Sequence, residues 1–162
     1  MKLISSLCAG ALMLGAGALS EANAAEARVE HAVYAEVLGK AGPWGLGYEL
    51  SLSPRFAVGV AASYVILDDQ RVTTVAPYLG AVLAGTGGRH RWFVQGGPEF
   101  VRVHTPSPVP EWDGATTSGI GVELSSGYEY RRGPFFLRGY AMVSAGRGGV
   151  APWAGTTVGW AL

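Results

Sequence analysis

Apolar positions recur at every second residue over most of this chain. In the stretch WGLGYELSLS the large side chains Trp44, Leu46, Tyr48, Leu50 and Leu52 alternate with small or polar ones. A period of two places successive side chains on opposite faces and predicts a β-strand with one apolar side. The pattern returns along the whole chain. Before it, Val33, Ala35 and Val37 oppose Tyr34 and Glu36. After it, Phe56, Val58, Val60, Ala62, Tyr64 and Ile66 oppose Ala57, Gly59, Ala61 and Ser63. Val75, Pro77, Leu79, Ala81 and Leu83 then oppose Thr74, Ala76, Tyr78 and Gly80. Trp92, Val94 and Phe100 oppose Gln95, Gly97 and Glu99, with a bulge expected at Gly96-Gly97-Pro98 because proline cannot donate to a ladder. Ile120, Val122, Leu124, Tyr128 and Tyr130 oppose Gly121, Glu123, Ser125, Gly127 and Glu129. Phe135, Leu137 and Val143 oppose Arg138 and Tyr140, and Ala154, Thr156, Val158, Trp160 and Leu162 oppose Trp153, Gly155, Thr157 and Gly159.

Turn signals separate these segments: GKAGP, SPR, DDQR, AGTGGRH, the long HTPSPVPEWDGATT and YRRGP. The count is eight strands, enough to close the smallest common outer-membrane barrel. The predicted fold is all-β, an eight-stranded antiparallel up-and-down transmembrane β-barrel. With the N-terminus in the periplasm, the longest connection falls outside and SPR and YRRGP fall inside. Phe56, Trp92, Tyr128, Tyr130, Phe135 and Trp160 then form an aromatic girdle at the periplasmic rim, and Trp44, Tyr64 and Phe100 mark the outer rim.

Composition bears on which face meets what. Charged residues make up 15 % of the chain and hydrophobic ones 49 %, while an ordinary soluble domain carries roughly 25 % charge. A soluble lipocalin-like barrel, with its apolar residues turned inward around a ligand, is the alternative. Its other face would have to be solvated, but here that face is Gly, Ala, Ser and Thr with isolated Glu, which suits a narrow filled interior. The start of the chain agrees with export. Lys2, an apolar run from Leu3 to about Leu19, and Ala22 and Ala24 predict a signal peptide over 1–24 and a barrel domain over 25–162. The single cysteine, Cys8, leaves with that segment, so the mature domain has no thiolate or disulfide chemistry. Twelve basic residues balance twelve acidic ones, and nothing suggests nucleic acid.

On these residues the chain resembles the small outer-membrane β-barrel superfamily, the OmpA/OmpX-like proteins, over essentially all of the mature sequence. The closing TTVGWAL, with Thr156, Val158, Trp160 and Leu162 spaced by two, is similar to the C-terminal signal read by the barrel-assembly machinery, although most members end in Phe rather than Leu. The opening VYAEVLGKAGPWGLGYE also looks like the first hairpin of bacterial barrels. The resemblance implies an outer-membrane location, contact with outer-membrane lipids and lipopolysaccharide, and assembly by that machinery; it implies no enzyme.

Glu36, Glu49, Glu99, Glu123 and Glu129 share the inward parity, and Arg138 is the clearest inward base. Together with Gln95, Tyr34, Tyr78, Tyr140 and Trp153 they are expected to plug the lumen as a polar network. The excess of acids leaves open a second reading, in which the lumen binds protons or a cation. No cofactor is expected. His31, His90 and His104 lack metal-ligand spacing, so no metal site is expected either. His104, placed at the start of the outer loop with Thr105, Ser107, Glu111 and Asp113 nearby, is the one weak catalytic candidate, for a lipid A-modifying enzyme of the outer leaflet. The His-x-Ser pattern of lipid A deacylases does not occur. The three prolines of TPSPVPEW stiffen the loop over 104–115, which could present Trp112 to a surface partner. Arg55, Arg89, Arg91, Arg131 and Arg132 are expected in the periplasmic turns as a basic rim. The role this supports is structural or surface interaction without a wide pore.

Overall fold

The computed structural model describes residues 30–162 apart from 87, 108 and 110–112. The expected signal peptide over 1–24 and Trp112 of the long loop lie outside the described residues. Eight strands follow in chain order: β1 (Glu30–Gly39), β2 (Gly42–Ser51), β3 (Phe56–Leu67), β4 (Gln70–Ala84), β5 (His90–Thr105), β6 (Ala115–Arg132), β7 (Phe135–Gly146) and β8 (Gly149–Ala161). Each pairs antiparallel with its sequence neighbours, and β8 returns to β1 from Ala32↔Ala161 to Val37↔Thr156. The sheet is therefore closed and has no edge along its paired length.

Turn chemistry sets the hairpins. Asp68 and Asp69, both at positive φ (47° and 66°), join the pair Leu67↔Gln70. Two left-handed residues between paired strands match the right-handed twist of the sheet. Gly133 at φ 61° followed by Pro134 joins Arg132↔Phe135. Glycine supplies the positive φ there, and proline is already fixed at the negative φ that the next position takes.

The start of β1 at Glu30 and the end of β8 at Ala161 lie at one end of the barrel, here the termini end, with the connections 52–55, 85–89 and 133–134. The other end carries the β1–β2 tip at Lys40 and Ala41, the Asp68-Asp69 turn, the connection 106–114 and the β7–β8 turn. At this long-loop end the wall is uneven. Pairing of β2 with β3 stops at Leu46↔Ala62 and that of β6 with β7 at Val122↔Ala145, while β3 to β6 stay paired up to their turns. Those strands rise as a four-stranded extension above the rest.

Two expectations of detail are corrected. The loop expected from His104 onward is shorter, because β5 continues through Thr105 and β6 begins at Ala115. The β4–β5 register is the same on both sides of Gly96-Gly97-Pro98, so no bulge sits there; the shift lies between Val82 and Ala84. Pairing is interrupted instead, over the span between Val75↔Phe100 and Leu79↔Gly96. In that register Pro77 faces Pro98, and neither has an N–H to give the ladder.

Alternation along each strand separates an interior from an exterior. Along β7, Phe136, Arg138, Tyr140 and Met142 are buried while Leu137, Gly139, Ala141 and Val143 are exposed. The exterior is an apolar band in which Leu46, Leu79, Ile120 and Leu124 each remain at least 60 % exposed.

Candidate functional site

The interior is a stack of side chains from all parts of the wall. Near the termini end, Arg138 of β7 reaches across the lumen to Glu49 of β2 in a two-pronged pair, Nη1 to Oε2 and Nη2 to Oε1, each 2.7 Å. Its Nε donates to Glu129 Oε2 at 2.6 Å. Glu129 accepts from Arg131 Nε at 2.6 Å through its other oxygen, and Arg131 donates to Glu30 at 2.8 Å. Arg91 approaches the same Glu129 oxygen at 3.7 Å. Glu49 also accepts from Tyr78 Oη at 2.9 Å and from Gln95 Nε2 at 3.3 Å. The guanidinium of Arg138 lies over the Phe136 ring, 4.6 Å from its centroid, and 5.4 Å from that of Phe93. Planar forks of this kind suit bidentate pairing and stacking together, which a lysine could not reproduce.

A second cluster closes the lumen from the long-loop end. The β1–β2 tip turns inward, so that Lys40 and Ala41 are each only 1 % exposed. Lys40 Nζ stands 3.3 Å from Glu36 Oε2 and within 4.8–5.5 Å of the ring centroids of Tyr78, Tyr140 and Tyr34. An ammonium among three aromatic faces and a carboxylate is held by cation–π attraction as well as by its ion pair. The tip is pinned by Ala41 N donating to Glu36 Oε1 at 2.8 Å and Ser63 Oγ donating to the Ala41 carbonyl at 2.5 Å. Tyr140 Oη donates to Glu36 at 3.2 Å. Above this layer Ser144 Oγ donates to Glu99 at 2.9 Å, while both carboxylate oxygens of buried Glu123 lack a hydrogen-bond partner among the described residues.

Each lumen ring lies over a glycine of the neighbouring strand. Tyr34 is paired with Gly47, Tyr78 with Gly59, Phe136 with Gly159, and Tyr140 with both Gly127 and Gly155. A Cβ added at Gly47, Gly59 or Gly159 would come within 2.3 Å of the ring opposite. The glycines are the space the rings occupy.

Ten of the residues proposed from parity have a place in the interior: Glu36, Glu49, Gln95, Glu123, Glu129, Arg138, Tyr34, Tyr78 and Tyr140 are buried, and Glu99 is half-buried. Trp153 is different. It is 41 % exposed at the open long-loop end of β8 and does not plug the lumen. Arg91 and Arg131 are also corrected, because they belong to strands and turn into the lumen toward Glu129 rather than sitting in turns as a basic rim. Parity did carry the signal for them and for Phe93 and Phe136, since each shares the register of Gln95, Glu129 or Arg138. Lys40 had no such signal, because its burial depends on the tip folding inward.

On the exterior, Trp44, Tyr64, Phe56, Trp92, Phe100, Tyr128 and Trp160 are exposed and Tyr130 and Phe135 half-exposed. Trp92 meets Tyr128 edge-on with centroids 5.6 Å apart, and both lie toward the termini end. His31 and His90 hydrogen-bond the outward Tyr48 and Tyr128 at the same end. His104 lies on the exterior in β5, opposite Thr116, whose Oγ1 is 3.1 Å from its Nδ1. Among the described residues it has no carboxylate partner. At the termini end the lumen opens into a cavity of 140 Å³, bounded by Arg55, Arg91, Phe93, Gln95, Glu129 and Arg138 among others. That is room for a few waters or for a ligand about the size of benzene.

The arrangement defines a class: a small up-and-down β-barrel, filled across its middle and apolar outside. Among solved structures the chain is similar to the N-terminal β-barrel domain of OprF from Pseudomonas aeruginosa. The TM-score is 0.65 at 15 % identity, and the match covers 83 % of this chain and 96 % of that one. At that identity the likeness concerns the fold. No family model and no curated protein matches the sequence.

Proposed function

We propose that this chain is an outer-membrane β-barrel with a structural or surface-interaction role and a filled lumen. The observation that supports it is the exterior band. Leu79 is 68 % exposed and Ile120 67 %, with Leu46, Leu83, Val122 and Leu124 in the same state around the wall. In water a continuous apolar belt of this kind drives association. In hydrocarbon it is the favourable surface, because closure of β8 on β1 leaves the sheet no open edge to expose to lipid. The fold likeness to the OprF barrel supports the same location. In this reading residues 1–24 direct export, the long-loop end faces outward, and the outward-facing Thr156, Val158, Trp160 and Leu162 serve the barrel-assembly machinery. The loop region over 104–115 is the surface offered to a partner.

A soluble lipocalin-like carrier would require an apolar, vacant interior. Here Arg138, Glu49, Glu129 and Lys40 occupy it. The test is gel mobility of the detergent-extracted outer-membrane fraction with and without boiling. A heat-dependent shift is the expected result; recovery in the soluble fraction without a shift overturns the reading.

A further inference from the structure

The four-stranded extension at the long-loop end has an exterior unlike the rest of the wall. Three successive cross-strand rows can be followed over β3, β4, β5 and β6. The lowest, Ala62–Val75–Phe100–Ile120, is apolar and continuous with the band below. The next is Tyr64–Thr73–Arg102–Ser118, and the one above it Ile66–Arg71–His104–Thr116. All twelve side chains share the outward parity. Over these two upper rows the wall carries two guanidinium groups, an imidazole and three aliphatic hydroxyls, with Tyr64 at the boundary and Ile66 the one aliphatic side chain among them.

Neither Arg71 nor Arg102 forms a salt bridge among the described residues, and both are exposed. No carboxylate occurs in the three rows; the acids nearest in sequence, Asp68 and Asp69, sit in the turn above. Arg71 and Arg102 belong to adjacent rows of adjacent strands, so they are diagonal neighbours, within common reach of one ligand for side chains of this length. Two unpaired arginines on a wall that is apolar immediately below are costly for a hydrocarbon-facing surface. They are accounted for by a ligand that is itself anionic above and acylated below.

We propose that Arg71 and Arg102, with Thr73, Ser118 and His104 beside them, form a binding site for a phosphate group of an outer-leaflet glycolipid whose acyl chains lie on Val75, Phe100 and Ile120. Arginine matches phosphate through parallel N–H···O bonds, and the hydroxyls supply further donors. The apolar row adds what a free phosphate ion cannot use. The site rests on the outer-membrane reading above, because that reading turns the long-loop end toward the outer leaflet.

The test uses the folded full barrel in an alkyl-maltoside detergent, which carries no phosphate of its own. Binding of purified bis-phosphorylated lipid A is compared with that of the same lipid after enzymatic dephosphorylation, by native mass spectrometry. The R71Q/R102Q double variant is set beside the wild type, with R132Q at the opposite end as control. Loss of the charged bonds should weaken binding of the phosphorylated lipid by roughly tenfold or more, since hydrogen bonds to charged groups are the stronger kind. The wild type should likewise discriminate against the dephosphorylated lipid, and R132Q should bind as the wild type does. Equal binding of both lipids, or no loss in the double variant, overturns the site. Complete displacement by inorganic phosphate overturns it too, as it would show an ion site rather than a lipid site. Mobility with and without boiling is recorded on the same samples. A shift retained in all of them with no lipid discrimination removes the site alone, whereas its absence in the wild type removes the membrane reading itself.

Discussion

Arg138 is the residue on which the charge balance of the lumen depends, because three of its N–H donors bind two carboxylates from different parts of the wall. Truncation to alanine leaves buried Glu49 without its two-pronged cation and takes from Glu129 one of its two close guanidinium partners, Arg131 remaining as the other. Breaking a buried pair by removing one partner costs about 3–5 kcal/mol, far more than an exposed pair contributes. Arg138→Ala should therefore lower the urea midpoint of the barrel folded in lipid vesicles. Arg138→Lys should fall between the two, since it keeps the charge and loses the fork. An unchanged midpoint in Arg138→Ala would mean that the ion pairs do not hold the wall. Much of this network could be read from parity, because Glu49, Glu129 and Arg138 all sit on the small-residue side of their strands. Their connectivity could not. A period of two assigns a side chain to the interior but carries no height, and only strand tilt and the registers that link β2 to β7 through β1 and β8 decide that Arg138 meets Glu49 rather than Glu123.

At the scale of the strand pair, the unit is an aromatic ring lying over the glycine opposite. Tyr78 over Gly59 shows what it does: the ring fills the space a side chain would take, and its hydroxyl is delivered to Glu49. A Gly59→Val change would set its Cβ 2.3 Å from the Tyr78 ring. Such overpacking typically costs about 1–3 kcal/mol, here with the Tyr78–Glu49 bond displaced as well. Gly139→Ala is the control, because Gly139 faces outward and an added Cβ would meet nothing within 4 Å. Its midpoint should stay level or rise slightly, as glycine in a strand interior is unfavourable. Comparable loss in both variants would show that glycine content itself, not the ring beneath it, matters to the wall. The strands were legible because alternation is strong and the turns carry Gly, Pro and Asp where left-handed or fixed φ is needed. In sequence Gly96-Gly97-Pro98 has the look of a bulge rather than of interrupted pairing, since Pro77 and Pro98, 21 positions apart, become opposite only once the register is known.

For the whole molecule, the question is whether a closed wall of eight strands conducts. Side chains cross the lumen at two levels. Near the termini end Arg138 spans from β7 to β2, and nearer the long-loop end Lys40 is folded in among Tyr34, Tyr78 and Tyr140. Ions would have to pass both. A barrel of this strand number has an interior only wide enough for side chains to fill, and the 140 Å³ cavity at the termini end stops at the Arg138 layer. The wild-type barrel in a planar bilayer should therefore give no sustained single-channel current. The two levels also differ in how they could open. Arg138 is fixed on a strand, so opening its level requires the ion pairs to break. Lys40 is carried by a two-residue tip that lies beyond Leu46↔Ala62, the last pair between β2 and β3. Lys40→Ala alone should leave the bilayer silent, because the Arg138 level remains. Lys40→Ala combined with Arg138→Ala should produce current if the two levels are the barrier, with the heat-dependent mobility shift checking that the variant is still a barrel. Steady current through the wild type would show that the filled lumen is not a seal. Silence in a correctly folded double variant would place the barrier in the remaining tyrosines and phenylalanines, making the rings rather than the charges what closes this barrel.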